Sequence, residues 1–166
     1  MAEITLGGNP VNTSGDLPAA GSPAPDFTLT AGNLSSVSKA DFAGKNLVLN
    51  IFPSVDTPTC ATSIRTFNER AADMDGTVVL CVSADLPFAQ GRFCGTEGLE
   101  NVSTASTFKN PEFLENFGVA MSDGKLEGLC ARAVVVMNAD GTVLHSELVS
   151  EIAQEPNYDA ALEALA

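Results

Sequence analysis

The sequence predicts an α/β domain in which a central mixed sheet carries helices on its faces. Three observations predict it. Residues 47–52 and 77–84 are nearly continuous apolar runs, the pattern of strands buried on both faces. Between them, apolar residues recur at the spacing of one helix face. Toward the C-terminus, residues 131–137 and 142–149 flank an Asp140-Gly141 pair, the signature of a β-hairpin. A chain of 166 residues with 45% hydrophobic content is long enough for one domain with its own core and too apolar for disorder.

Taken in order, residues 4–13 read as a hairpin turning at Gly7-Gly8-Asn9-Pro10, because Gly and Asn tolerate positive φ. A Pro/Gly-rich stretch follows over residues 15–25. Phe27, Thr28 and Leu29 alternate as an edge strand would. After the first apolar run, Cys60, Ile64, Phe67, Ala71 and Met74 step by 4, 3, 4 and 3 residues, and Gly76 stands where this helix should stop. Residues 86–99 form a weaker helix, since Gly91 and Gly95 each cost about 1 kcal/mol relative to Ala. A further strand leads to Asn110-Pro111-Glu112, which reads as an N-cap followed by proline at the first helical position. Phe113, Leu114 and Phe117 give that helix its apolar face, closed by Gly118. After the hairpin, residues 156–166 suit a last helix with Ala161, Leu162 and Leu165 inward.

Charge excludes partners. Eight basic against twenty-one acidic residues leave a net charge of −13, which argues against nucleic acid and against anionic membrane surfaces. Apolar runs such as residues 47–49 and 134–137 are far too short to span a bilayer. Residues 1–20 hold no Lys, no Arg and no apolar core, so no secretory signal is visible, which favours the cytoplasm. The four cysteines form no Cys-x-x-Cys pair, and His145 is the only histidine, which disfavours a zinc site or a thioredoxin-type dithiol. A serine hydrolase is excluded by the lack of a Gly-x-Ser-x-Gly turn.

The chemistry concentrates in Pro53-Ser54-Val55-Asp56-Thr57-Pro58-Thr59-Cys60, between a buried strand and a helix. Thr57 is a favourable N-cap and Pro58 a favourable first helical residue. Cys60 falls in the first turn, where free amides and the helix dipole favour an anion and so the nucleophilic thiolate. Cys60 also lies on the apolar stripe of Ile64 and Phe67, so on composition and periodicity alone a reactive and a buried inert cysteine weigh about equally.

The spacing Pro53-x-x-x-Thr57-x-x-Cys60 resembles the peroxidatic motif of peroxiredoxins. Further segments carry the likeness: Leu49-Asn50-Ile51-Phe52-Pro53-Ser54, Ser83-Ala84-Asp85-Leu86-Pro87-Phe88-Ala89-Gln90, Arg92-Phe93-Cys94-Gly95 and Ala131-Arg132-Ala133-Val134-Val135-Val136. Together they are similar to the bacterial thiol peroxidases, the atypical two-cysteine peroxiredoxins, from about Gly8 onward. The resemblance implies a thioredoxin-like fold over residues 1–166, with residues 1–16 as an N-terminal hairpin extension, and no metal or organic cofactor. It implies a homodimer that reduces hydrogen peroxide and organic (alkyl or lipid) hydroperoxides at the expense of thioredoxin. Cys60 corresponds to the peroxidatic cysteine and Cys94 to the resolving one, with Thr57, Arg132 and Pro53 completing the site. The Thr57 hydroxyl would orient the peroxide, and the Arg132 guanidinium would favour the thiolate and the charge growing on the leaving oxygen. Pro53 would shield the sulfur from water.

A Cys60–Cys94 disulfide requires Cα atoms within roughly 4.4–6.8 Å. Two natively packed helices would hold these residues farther apart, so residues 57–64 and 91–95 are expected to unwind during the cycle. Cys81, inside an apolar strand, reads as core. Cys130 stands where the family usually has a small residue. It would share a face with Arg132 if both lay in one strand, which leaves open a third redox thiol. His145 reads as a surface residue of the hairpin. Two rival readings use the same chain differently: a redox sensor that signals through its disulfide, and a binding module in which Cys60 is inert.

Overall fold

The computed structural model describes residues 2–165. β1 (Glu3–Leu6) and β2 (Asn9–Asn12) pair antiparallel, turning through Gly7 and Gly8 at φ 58° and 83°, where a side chain would strain the backbone. Seven further strands form the main sheet: β3 (Thr28–Ala31), β4 (Ser36–Ser38), β5 (Asn46–Ile51), β6 (Thr77–Ser83), β7 (Ser103–Ser106), β8 (Ala133–Met137) and β9 (Val143–Leu148). Their order is β4-β3-β7-β6-β5-β8-β9. β5, β6 and β7 run parallel, joined by the crossover helices α1 (Pro58–Ala71) and α2 (Pro87–Glu97). The β3–β4, β3–β7, β5–β8 and β8–β9 pairs are antiparallel, so the sheet is mixed, as expected.

The period-2 alternation of β5 divides the core. Leu47, Leu49 and Ile51 face one apolar cluster with Phe27, Phe113 and Phe117, covered by α3 (Glu112–Asn116). Val48 and Phe52 face the other, where α1 supplies Cys60, Ile64 and Phe67, α2 supplies Phe93, and α4 (Tyr158–Glu163) supplies Ala161. The parallel strands thereby aim their carboxyl ends, and the N-termini of α1 and α2, at one edge of the sheet.

Several boundaries differ from expectation. β3 is not the edge strand; the short polar β4 outflanks it, too brief and too weakly patterned to stand out in the sequence. α1 ends at Ala71, leaving Met74 in a turn before Gly76, whose φ is 72°. α3 begins at Glu112 with Pro111 as its cap, one residue later than the Asn110 signal. β8 begins at Ala133 rather than at residue 131. Among the described residues, no helix is long and apolar enough to cross a membrane.

The hairpin is fastened to the loop after β9. The Thr5 amide donates to the Ser150 carbonyl (2.8 Å), and the Ile152 amide donates to the Thr5 carbonyl (2.9 Å). The Glu151 carboxylate accepts from the amides of Gly8 and Ala153 (both 2.9 Å), from the Gly7 amide (3.3 Å) and from the Thr5 hydroxyl (3.0 Å). These bonds, led by the one from Ala153, draw its carboxyl down from the ordinary 4.5 to about 2. A depressed carboxyl stabilises the fold above its unfolded value and loses that contribution as pH falls through the folded one. Glu151→Gln is therefore expected to lower the thermal midpoint at pH 6, with the gap to the parent protein closing between pH 4.5 and about 2. A gap that stays constant over that interval would contradict this account.

Candidate active site

β5 delivers the chain to the carboxyl edge, and Phe52, Pro53 and Val55 are all buried there. Thr57 has the extended conformation of an N-cap (φ −97°, ψ 145°) and Pro58 opens α1, as the sequence predicts. Its side chain does not cap, however. The Thr57 hydroxyl donates to the Ser54 carbonyl (3.1 Å), which leaves its own lone pairs available and the first-turn amides of α1 open to an anion. Cys60 lies in that turn with no exposed surface.

Arg132 arrives from the residue before β8 and is 2% exposed. Its Nη1 donates to Cys60 Sγ at 3.3 Å and its Nε to the Ile152 carbonyl at 2.8 Å. No carboxylate lies within ion-pair distance of it among the described residues. A buried cation without a counter-charge is expensive, so the sulfur it touches is where a negative charge is best accommodated. The loop carrying Ile152 also holds α1, through the Thr59 hydroxyl donating to the Ala153 carbonyl (3.0 Å). Beside it opens a cavity of about 350 Å³ lined by Pro58, Thr59, Thr62, Ala153, Gln154 and Glu155.

Cys94 stands apart from this group. It is half-buried on α2, packed against the cluster that holds Cys60 and Phe93, and burial pushes its thiol up. Both thiols are free. α2 is held to its surroundings by an Arg65–Glu97 ion pair, by the Arg65 guanidinium 5.7 Å from the Phe93 ring centroid, and by an exposed Arg92–Asp56 ion pair at 2.8 Å. Pro53, Thr57, Cys60 and Arg132 thus converge on the edge where α1 begins, while Cys94 lies on the neighbouring helix.

The remaining candidates separate cleanly. Cys81 is fully buried on β6, and burial pushes its thiol up to about 12 despite the Asn50 amide 3.7 Å away. Cys130 is likewise pushed up to about 12 by burial. It does not share β8 with Arg132, because that strand starts at Ala133, and it packs in the cluster of Ala133 and Val135. His145 is half-buried on β9 rather than at the surface. Three groups at the site carry no chemical signature in the sequence: Ser54 and Asp85, which bond each other at 2.7 Å, and the backbone carbonyl of Ile152. Ser54 and Asp85 do fall inside the segments that carry the family likeness; Ile152 contributes only main chain, which no side-chain motif reveals.

Residues 19–162 match the family model described as Redoxin. The chain is 64% identical over 165 residues to the thiol peroxidases of Mycobacterium tuberculosis (strain H37Rv) and Mycobacterium bovis, covering 99% of each chain. Among solved structures it superposes on a peroxiredoxin-like protein from Aquifex aeolicus with a TM-score of 0.92 and 37% identity, covering 99% of this chain and 96% of that one. A thiol peroxidase from Chromobacterium violaceum, 22% identical with a TM-score of 0.89 over 98% and 94% of the two chains, shares the fold. With a thioredoxin-like mixed sheet, an N-terminal hairpin and this likeness along nearly its whole length, the chain belongs to the redoxin family, among the peroxiredoxin-type thiol peroxidases of antioxidant defence.

Proposed function

We propose that the protein reduces hydrogen peroxide and alkyl or lipid hydroperoxides through Cys60, resolves the product with Cys94, and is recycled by thioredoxin in the cytoplasm. The observation that carries this reading is the buried Arg132 guanidinium, whose one side-chain hydrogen-bond partner among the described residues is the Cys60 sulfur. The Cys60 thiolate attacks the nearer peroxide oxygen. An S–O bond forms, the O–O bond breaks, sulfur loses two electrons to become a sulfenic acid, and the departing oxyanion takes a proton to leave as alcohol or water. The Thr57 oxygen, its own proton committed to Ser54, is oriented to accept the peroxide O–H. Arg132 meets the charge on the leaving oxygen, and Pro53 keeps water from the sulfur.

Cys94 then attacks the sulfenic sulfur, forming the Cys60–Cys94 disulfide and releasing water. In its folded position the Cys94 thiol is held up by burial, so it makes little of the attacking thiolate. Unwinding of α2 removes that burial and brings the two sulfurs together, and Gly91 and Gly95 within the helix make the unwinding cheap. A thioredoxin dithiol reduces the disulfide by exchange. The reading treats residues 1–166 as one catalytic unit with residues 1–16 as its hairpin extension, and extends to a homodimer. Leu86, Phe88 and Phe108 support the latter: these large apolar side chains are exposed around the start of α2 and the end of β7.

Four measurements test the reading. In a peroxidase assay coupled to thioredoxin and its reductase, Cys60→Ser is expected to be inactive, and Cys94→Ser to complete a first turnover without cycling; full activity of Cys60→Ser would refute the mechanism. Arg132→Met should slow the first-turnover reaction with peroxide about 100-fold or more. The same variant should lose little thermal stability, because it exchanges a buried charge for an apolar chain of similar length. Amide exchange should accelerate over residues 57–64 and 91–95 on oxidation, and unchanged protection in both segments would reject the unwinding step.

A further inference from the structure

Asp85 sits between β6 and α2, half-buried at the carboxyl edge of the sheet. Its Oδ1 accepts from the Ser54 hydroxyl (2.7 Å), and its Oδ2 accepts from the Val55 amide (2.8 Å) and the Ser83 hydroxyl (2.7 Å). The Ser83 hydroxyl in turn accepts from Gln90 Nε2 (3.0 Å), which also donates to the Ala105 carbonyl (2.9 Å). Gln90 is fully buried on α2, four residues before Cys94. On the other side, the Ser54 carbonyl holds the Thr57 hydroxyl, and the Ser54 hydroxyl accepts from the Asp56 amide (3.1 Å). One carboxylate therefore ties together the loop that leads into α1 and the helix that carries the second thiol.

No cation lies within ion-pair distance of Asp85 among the described residues, so its charge is held by these neutral donors. Two of the three belong to the loop. Hydrogen bonds to an ionised acceptor are strong, yet a half-buried carboxylate can exchange them for water when the loop departs. That combination makes a tie which is firm when closed and reversible when opened.

We propose that Asp85 is a positioning residue that latches the peroxidatic loop, and that its hold sets the balance between attack on peroxide and disulfide formation. The proposal rests on the Cys60–Cys94 reading. The two steps make opposite demands. Attack needs Thr57 fixed, which Asp85 achieves through Ser54. Disulfide formation needs the loop and α2 released, and its rate follows the population of the open form. A weaker latch slows the first step and speeds the second. It also shortens the life of the sulfenic acid, leaving less time for a second peroxide to oxidise Cys60–SOH to the sulfinic acid with loss of water.

The test is quench-flow with hydrogen peroxide, followed by mass spectrometry of Cys60, in the full-length protein and in Asp85→Ala, Asp85→Asn and Ser54→Ala. Asp85→Ala should slow sulfenic acid formation about threefold or more and speed formation of the 60–94 disulfide about tenfold. More peroxide should then be needed to reach the sulfinic acid. Ser54→Ala, which leaves the carboxylate in place, should move both rates in the same directions by less. Asp85→Asn can still accept from Val55 and Ser83 and donate to Ser54, and should lie close to the parent protein. Both rates falling together, as a general loss of structure would cause, or neither rate moving, would overturn the latch. Failure of the parent protein to form a 60–94 linkage would instead overturn the reading beneath it.

Discussion

The structure is organised around one buried cation. A guanidinium cannot give up its proton, so Arg132 brings a permanent charge to an interior where an uncompensated charge costs several kcal/mol. Its planar fork divides that charge between the Ile152 carbonyl and the Cys60 sulfur. The carbonyl supplies a partial charge, and only the sulfur can supply a full one. An anion at that sulfur would pair with the guanidinium, and the open amides of the first α1 turn would add to the same effect. On the proposed mechanism, oxidation to a neutral sulfenic acid would remove that anion and leave the cation with dipoles alone. On that reading the chemical step itself would weaken the closed arrangement at the point where it has to give way.

The surrounding architecture divides into well-buried elements and one marginal helix. Arg132 is fixed from below by β8, whose five residues are all buried, and from the side by the Ile152 loop. That loop is pinned by the N-terminal hairpin through the Thr5 backbone and Glu151. The hairpin, remote from the sulfur in sequence, thereby shares in holding the group that faces it. α2 is built differently. Its interior holds two glycines, and it rests on exposed ion pairs that salt and solvent weaken. The cation sits on well-buried elements and the second thiol on a marginal one, which suits the proposed cycle, in which one partner would wait and the other travel.

Much of this was legible in the sequence, and what was not has physical reasons. The apolar runs of β5 and β6 and the helical stripe through Cys60, Ile64 and Phe67 identify their elements because burial on a fixed face leaves a periodic record. β4 leaves none, being three residues with polar ends at the edge of the sheet. The Thr57-Pro58 start of α1 is a local signal and is found where it points. Where the Thr57 hydroxyl goes is decided by the Ser54 carbonyl, a tertiary fact. Cys130 shows the same limit. Its separation of two residues from Arg132 suggests a shared face, but the chain becomes a strand only at Ala133, and the alternation on which that inference depends does not extend to it.

The four cysteines make the general point that reactivity belongs to the environment rather than to the residue. Cys81 and Cys130 are buried among apolar groups, and desolvation holds both thiols near 12, where the nucleophilic form is essentially absent at neutral pH. Cys94 is half-buried, and burial raises its thiol, so on the proposed reading a change in its helix would release it. Cys60 is as buried as the inert pair. The difference is the guanidinium at 3.3 Å. In a chain of net charge −13, a lone cation sealed from solvent and directed at one sulfur supplies a local field that the rest of the molecule opposes.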